Sequence, residues 1–337
     1  MDRRRLVAST IAAVLFASAS LAAERPIRPE IRDRILDNGR LIDVIEVPGG
    51  LPPAVKMATS NVPVPNKSAG INVLANVPAF DWSYGCSATS AAMMAGYYDN
   101  TGYPNMYSGP TNGGVCPMTN AAWGYGRCPL SATEQGVDGL ASRGHVDDYW
   151  LNFGHAGPDP YISGGWPQHA HADCVGDFMK TNQASYGNSD GATTLYMWND
   201  GSPFSSSSYP ADGGFGVELF FESRGYTVET RFNQYIVEQG LTHGFSYAQF
   251  QQEIDAGRPV LIHVSGHTMI GYGYNTSGSL VYIHDTWDHV DHQMTWGGAY
   301  AGMTHYGVTV VRLAANSSVF SDGFESHDMT RWSAFAP

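Results

Sequence analysis

Cys86 stands in the stretch Phe80-Asp81-Trp82-Ser83-Tyr84-Gly85-Cys86-Ser87-Ala88-Thr89-Ser90, directly before a run, 91–98, that reads as helix. A thiol at the first turn of a helix meets the positive end of the macrodipole and N–H groups without helical partners. Both favour the thiolate, the reactive form. Downstream, His267 opens a strand-like segment, Gly266-His267-Thr268-Met269-Ile270-Gly271, and Asp285 closes another, Ile283-His284-Asp285. A thiol, an imidazole and a carboxylate in that chain order supply the parts of nucleophilic acyl transfer. Cys86 would attack an acyl carbon, His267 would move the proton, and Asp285 would accept from the other ring nitrogen and fix the tautomer. A His267 cation beside the thiol would lower its pKa from about 8.5 to as little as ~3–4.

The chain holds twelve histidines, so rivals need weighing. His263 lies among Val260, Ile262 and Val264 and reads as strand filling. His284 must face the opposite side of the pleat from Asp285. His289 and His292, with Asp288 and Asp291, make a dense loop that resembles a cation site only in composition. His169, His171 and Cys174 have a spacing conceivable for zinc, while His145, Asp147 and Asp148 read as buried polar support. Asn188, Asp190 and Gly191 look like a turn. No metal and no cofactor is expected. Of the four cysteines, a free Cys86 leaves Cys116, Cys128 and Cys174, among which at most one disulfide can form.

The elements that must position these residues are partly readable. Residues 87–98 predict a helix ended by Asp99-Asn100-Thr101-Gly102, and 217–224 and 247–255 predict two more. Segments 260–264, 267–274, 279–284 and 308–313 predict strands of one antiparallel sheet. Helices beside such a sheet make an α+β architecture, with a nucleophile helix packed on the sheet. Residues 102–214 are rich in Gly, Asn, Ser and aromatics without clear periodicity and predict a long loop-rich insertion.

The ends carry other signals. Arg3, Arg4 and Arg5 precede an apolar run from Leu6 to Ala19 and the small residues Ser20-Leu21-Ala22, the pattern of a cleaved secretory leader over 1–22. Residues 23–70 then form a charged extension with Pro-rich linker, either an exposed tail or a propeptide covering the site. The catalytic domain is expected over 71–315 and a tail over 316–337. That tail, Phe320-Ser321-Asp322-Gly323-Phe324-Glu325-Ser326 with Trp332, resembles a short C-terminal signature of secreted bacterial proteins. Residues 41–337 carry 10 basic against 26 acidic side chains. So acidic a surface repels phosphate backbones and argues against nucleic acid as partner. A secreted or periplasmic protein with no membrane anchor after leader cleavage is the expectation.

Val77-Pro78-Ala79-Phe80, Gly85 to Ser90 and Tyr97-Tyr98 resemble the start of the bacteriocin-processing-peptidase-like group of papain-fold cysteine peptidases. Gly257-Arg258-Pro259-Val260-Leu261-Ile262, His267 to Gly273 and Asp285-Thr286-Trp287 resemble its histidine and acid segments. The similarity spans roughly 71–100 and 240–313. It implies a papain-like fold, a peptide or protein substrate, peptide-bond hydrolysis, and Cys86, His267 and Asp285 as the triad. That group places a glutamine shortly before the cysteine as an oxyanion donor. Here the window reads Phe80-Asp81-Trp82-Ser83, which leaves the Cys86 N–H with Trp82 or Ser83, because an ionised Asp81 cannot donate. Losing one such donor typically costs about 10²–10³ in rate. An amidase or acyltransferase of the same fold acting on cell-wall peptides, or a catalytically weak binding module, are the alternatives.

Overall fold

The computed structural model describes residues 29, 31–49, 62–63, 65–107, 114–123, 128–132, 174–183, 186–188 and 191–315. The leader, the C-terminal tail, and His145, Asp147, Asp148, His169, His171 and Asp190 lie outside them. In chain order the described elements are β1 (Ile31–Asp37), β2 (Arg40–Val47), β3 (Ile71–Val73), α1 (Cys86–Asn100) and α2 (Val175–Met179). Then come β4 (Thr193–Trp198), α3 (Gly213–Ser223), β5 (Val228–Tyr235), α4 (Tyr247–Asp255), β6 (Val260–Val264) and β7 (His267–Asn275). The chain closes with β8 (Leu280–His284), β9 (His292–Thr295), β10 (Ala299–Tyr300) and β11 (Met303–Leu313).

The larger sheet is antiparallel, in the order β10-β11-β6-β7-β8-β9, with β3 added to β7 and β5 to β11. Its central strands are buried throughout β6 and from His267 to Tyr274 of β7. The two faces sort by residue parity, as a pleat requires. Leu261, Ile270, Val311 and Leu313 pack under α1 and α3, among Met93, Met94, Phe220 and Phe221. Ile262, Val264, Met269, Ile283, Val308 and Val310 face the other way, onto Phe250 and Ile254 of α4. The sheet is thus a middle layer between α1 and α3 on one side and α4 on the other. The α+β architecture predicted from the sequence is present.

Helix α1 is buried from Cys86 to Tyr98, as expected of a core helix apolar or small on every side. It ends where Asn100-Thr101-Gly102 breaks the pattern, with the Thr101 hydroxyl donating to Tyr97 O at 2.6 Å. Helix α4 opens with a capping box, Ser246 and Gln249 each satisfying the other's backbone N–H, worth about 1 kcal/mol.

Over 31–47 the N-terminal extension has regular structure. It forms the hairpin β1–β2, whose register places Asp37 opposite Arg40 around an Asn38-Gly39 turn with both residues at positive φ. Strand β2 pairs with β4, Val47 opposite Thr193 and Ile42 opposite Trp198, to make a second, three-stranded sheet. Its buried carboxylate, Asp43, accepts from Tyr235 Oη at 2.8 Å, Asn199 Nδ2 at 2.9 Å and Arg34 Nε at 2.9 Å. Strand β4 also shows that the supposed insertion contains a regular element at 193–198.

All four cysteines are free thiols and buried, so the disulfide expected among Cys116, Cys128 and Cys174 is not formed. Cys116 Sγ is turned into α1, where even a methyl added at Gly96 would stand 2.7 Å from it. Cys174 caps α2. The three thiols are packing groups of the helical layer.

Candidate active site

The approach to Cys86 is a tight, fully hydrogen-bonded loop. Tyr84 has φ +53° and Gly85 φ +139°, and the second of these is open only to glycine. A Cβ on Gly85 would also strike Gly191 O and Thr181 Cγ2, each at 2.6 Å. Thr89, one turn into α1, clamps the loop: its hydroxyl donates to Gly85 O at 2.8 Å and accepts from Ser83 N at 3.0 Å. No side chain caps the helix, so its first-turn N–H groups stay directed at the cysteine.

His267 is set by the two-residue turn Ser265-Gly266, which pairs Val264 with His267. Strand β7 then docks on α1: Ser87 Oγ and Thr268 Oγ1 lie 2.9 Å apart, and Ser90 Oγ donates to Thr268 O at 2.9 Å. The residues that follow the thiol and the imidazole in the chain are therefore bonded directly to each other. The imidazole stacks on Trp287, ring centroids 4.6 Å apart.

Asp285 meets His267 through its backbone. His267 Nε2 lies 2.6 Å from the main-chain carbonyl of Asp285, not from its carboxylate. A carbonyl only accepts, so Nε2 carries the proton and Nδ1 is left as the basic nitrogen. The carboxylate of Asp285 faces away. It accepts from Tyr300 Oη at 2.6 Å and Trp287 N at 2.9 Å, with His292 Nε2 at 3.5 Å. This corrects the expected carboxylate–imidazole contact: the carboxylate is taken up by these partners instead. Thr286 has φ +66°, a costly conformation for a β-branched residue, and it follows directly on the Asp285 carbonyl that meets the imidazole.

The three residues expected at the oxyanion position divide. Ser83 is structural: its hydroxyl accepts from Cys128 N at 3.0 Å and its carbonyl from Ser131 Oγ at 2.9 Å. Asp81 is held by Asn120, whose Nδ2 donates to Oδ1 at 2.5 Å and whose Oδ1 accepts Asp81 N at 2.9 Å. Trp82, in the same apolar cluster as the thiol, is the one of the three whose side chain meets residue 49, its Nε1 donating to Gly49 O at 2.7 Å.

The protonation states match a covered site. Burial pushes the Cys86 thiol up to about 11, against the opposing pull of the Thr268 and Ser87 N–H groups. Burial also pushes His267 down to about 4, against the Asp285 carbonyl. At neutral pH both are uncharged. Cys86 sits in an apolar cluster with Trp82, Tyr84, Leu195, Met197 and Tyr306, and with Ile45 and Val47 of β2. Its Sγ donates to Pro48 O at 3.6 Å.

The rival histidines are occupied. His263 bridges Thr268 Oγ1 at 3.0 Å and Thr309 Oγ1 at 2.7 Å, and burial holds it neutral with its pKa near 3. It links Ser87 and Thr268 to Thr309, Asn233 and the Asp212–Arg231 ion pair in one buried polar chain. His284 holds Pro78 O at 2.8 Å and Asp291 at 3.1 Å. In the His/Asp loop, Asp285, Asp288 and His292 offer ligand atoms within 4.8 Å of one another. The same atoms are engaged in hydrogen bonds, His292 Nε2 to Asp288 at 2.9 Å among them.

Sequence reasoning gave no role to Asn120, Trp287 or Tyr300, and placed the 42–49 segment only within an extension that is either a tail or a propeptide covering the site. The hairpin had a signal in Asn38-Gly39. The aromatic partners had none beyond their type.

No curated protein and no solved structure matches the chain. A family model does: residues 212–307, from the cap of α3 into β11, match the Peptidase_C39 like family, so the resemblance read from the sequence holds over the segment that carries His267 and Asp285.

Proposed function

We propose that the protein is a cysteine hydrolase of papain-like arrangement that cleaves peptide bonds, acting outside the cytoplasm as its leader pattern suggests. The observation that carries this reading is the docking of α1 on β7 through Ser87, Ser90 and Thr268. It sets the residue after a helix-terminal thiol against the residue after an imidazole whose Nε2–H is already committed to a carbonyl. In the reaction Nδ1 of His267 takes the Cys86 proton as sulfur bonds to the peptide carbonyl carbon. The same nitrogen then gives that proton to the leaving amine, and a thioester remains. Water, deprotonated by His267, attacks the thioester; the C–S bond breaks, the acid departs, and the proton returns to the thiolate. The Cys86 N–H and Trp82 Nε1 are the donors on hand for the oxyanion. Asp285 contributes its carbonyl, and its carboxylate holds the loop that aims that carbonyl.

The test is peptide-library hydrolysis by the wild type, Cys86→Ala and His267→Ala, with purified cell wall as a second substrate. Cleavage lost to background in both variants, with unchanged circular dichroism, supports the assignment. Undiminished cleavage in either variant sinks it. Cleavage of cell wall alone would move the substrate class to cell-wall peptides.

A further inference from the structure

Residues 42–49 run along β4 to the nucleophile. Strand β2 adds to the edge of β4 through six register pairs, from Ile42–Trp198 to Val47–Thr193. Past the last pair, Pro48 O takes up the Cys86 thiol, Gly49 O takes up Trp82 Nε1, and Pro48 Cγ reaches over Gly266, the residue before His267. Ile45 and Val47 fill the apolar cluster around Cys86. The fit at position 49 is extreme: a Cβ there would lie 2.0 Å from Gly191 C. Gly191 in turn is wedged against Gly49 and Gly85, a methyl on it standing 3.2 Å from the Cα of each.

We infer that the edge of β4 is the peptide-binding channel of the site, and that residues 42–49 occupy it as an inhibitor built into the chain. This rests on the hydrolase reading for its purpose but not for its geometry. Three features make the segment an inhibitor rather than a substrate in place. The sulfur meets the carbonyl oxygen of Pro48 in a hydrogen bond, whereas attack needs the carbonyl carbon. Trp82, a donor in the thiol's apolar cluster, is spent on the next residue's carbonyl. The same segment covers the thiol, with Ile45 and Val47 packed in the apolar cluster that holds it. Main-chain pairing supplies the attachment, as when a strand is added to a sheet edge, and the side chain that position 49 lacks sets the fit.

The experiment is site-resolved alkylation of the full chain with iodoacetamide, read by mass spectrometry at each cysteine. Buried Cys116, Cys128 and Cys174 report on the integrity of the fold. Gly49→Val, which cannot pass Gly191, should label at Cys86 at least tenfold faster than wild type while the other three stay protected. Trp82→Phe removes only the donor to Gly49 and should raise the rate less, by a few-fold. A synthetic peptide of sequence RLIDVIEVPG, added to Gly49→Val, should restore protection. Cys86 rates equal to wild type in both variants, or a peptide that gives no protection at saturating concentration, overturn the proposal. Faster labelling and peptide protection without any peptide hydrolysis would keep the inhibitor and discard the hydrolase reading, so the two fail separately.

Discussion

Two hairpins meet at the thiol and could hardly be held more differently. The β6–β7 hairpin turns at Ser265-Gly266 and delivers His267; it lies in the middle of the large sheet with apolar contacts on both faces. The β1–β2 hairpin turns at Asn38-Gly39 and delivers Pro48. It joins the body by pairing β2 to the edge of β4, with Asp43 as a polar anchor and Ile42, Val44, Ile45 and Val47 buried, and leaves Leu36 and Leu41 exposed. Burial of the first kind gives a position that changes only when the protein unfolds. Edge pairing with a polar anchor gives one that can open on its own. In the proposed hydrolase reading the base has to be fixed and the cover removable.

The sharpest way to break this contrast is in the middle of the sheet. Ile262→Ala, at a fully buried position packed on α4, should cost about 2–5 kcal/mol. Chemical denaturation should show it as a lower midpoint for the whole molecule, with no separate early phase. A loss below 1 kcal/mol would mean that the central hairpin is less tightly packed than its burial implies.

Acid tests the same core. His263, His267 and His305 are held neutral by burial, with pKa values pushed down to about 3, 4 and 3. In the unfolded chain they titrate near the ordinary 6.5. Above that value neither state binds the protons and nothing is lost. As pH falls from about 6.5 toward 4 only the unfolded chain binds them, so stability drops, by up to about 1.4 kcal/mol per pH unit for each proton. Asp212, pushed up to about 6 by burial, works in the opposite sense and offsets one of the three. Urea midpoints at pH 7.5 and 5 should therefore differ, the lower pH being the weaker. Equal midpoints would show that the three rings are hydrated.

Asp43→Ala should act locally. It leaves Tyr235 and Asn199 without their acceptor and should cost about 1–3 kcal/mol. Hydrogen exchange should locate the loss in β1, β2 and β4 while β6 and β7 keep their protection. Uniform loss across both sheets would mean that the hairpins are one cooperative unit. The Arg40–Asp200 pair, half exposed on both sides, should be worth no more than about 1 kcal/mol, and Arg40→Ala should leave exchange at the hairpin nearly unchanged.

Legibility followed the same division. Helix α1, helix α4, and strands β6 to β8 were readable because burial imposes a period, small residues or alternating Val and Ile, that shows in the letters. So were Cys86 and His267, each beside a glycine that the local turn demands. The N-terminal hairpin was harder. Its charge reads as an exposed extension: β1, IRDRILD, is an edge strand with little apolar face, and β2, RLIDVIEV, buried between β1 and β4, carries Asp43 and Glu46 among its apolar residues. Trp82 was named among three candidates, and only the position of Gly49 separates it from Ser83. The backbone role of Asp285 had no signal at all, because a carbonyl belongs to every residue.

That last point reaches beyond this loop. The atom that decides which imidazole nitrogen is basic cannot be deleted by any substitution at position 285; replacing the side chain changes only what the loop leans on. Asp285→Asn should thus lose a few-fold in rate rather than the large factor of a mis-set tautomer, a difference that the pH profile of hydrolysis would register. The feature that a mutation can reach is the contorted backbone at Thr286, which glycine would hold with less strain. Aligning sequences column by column for an invariant acid would search for an orienting partner that is stored here as curvature.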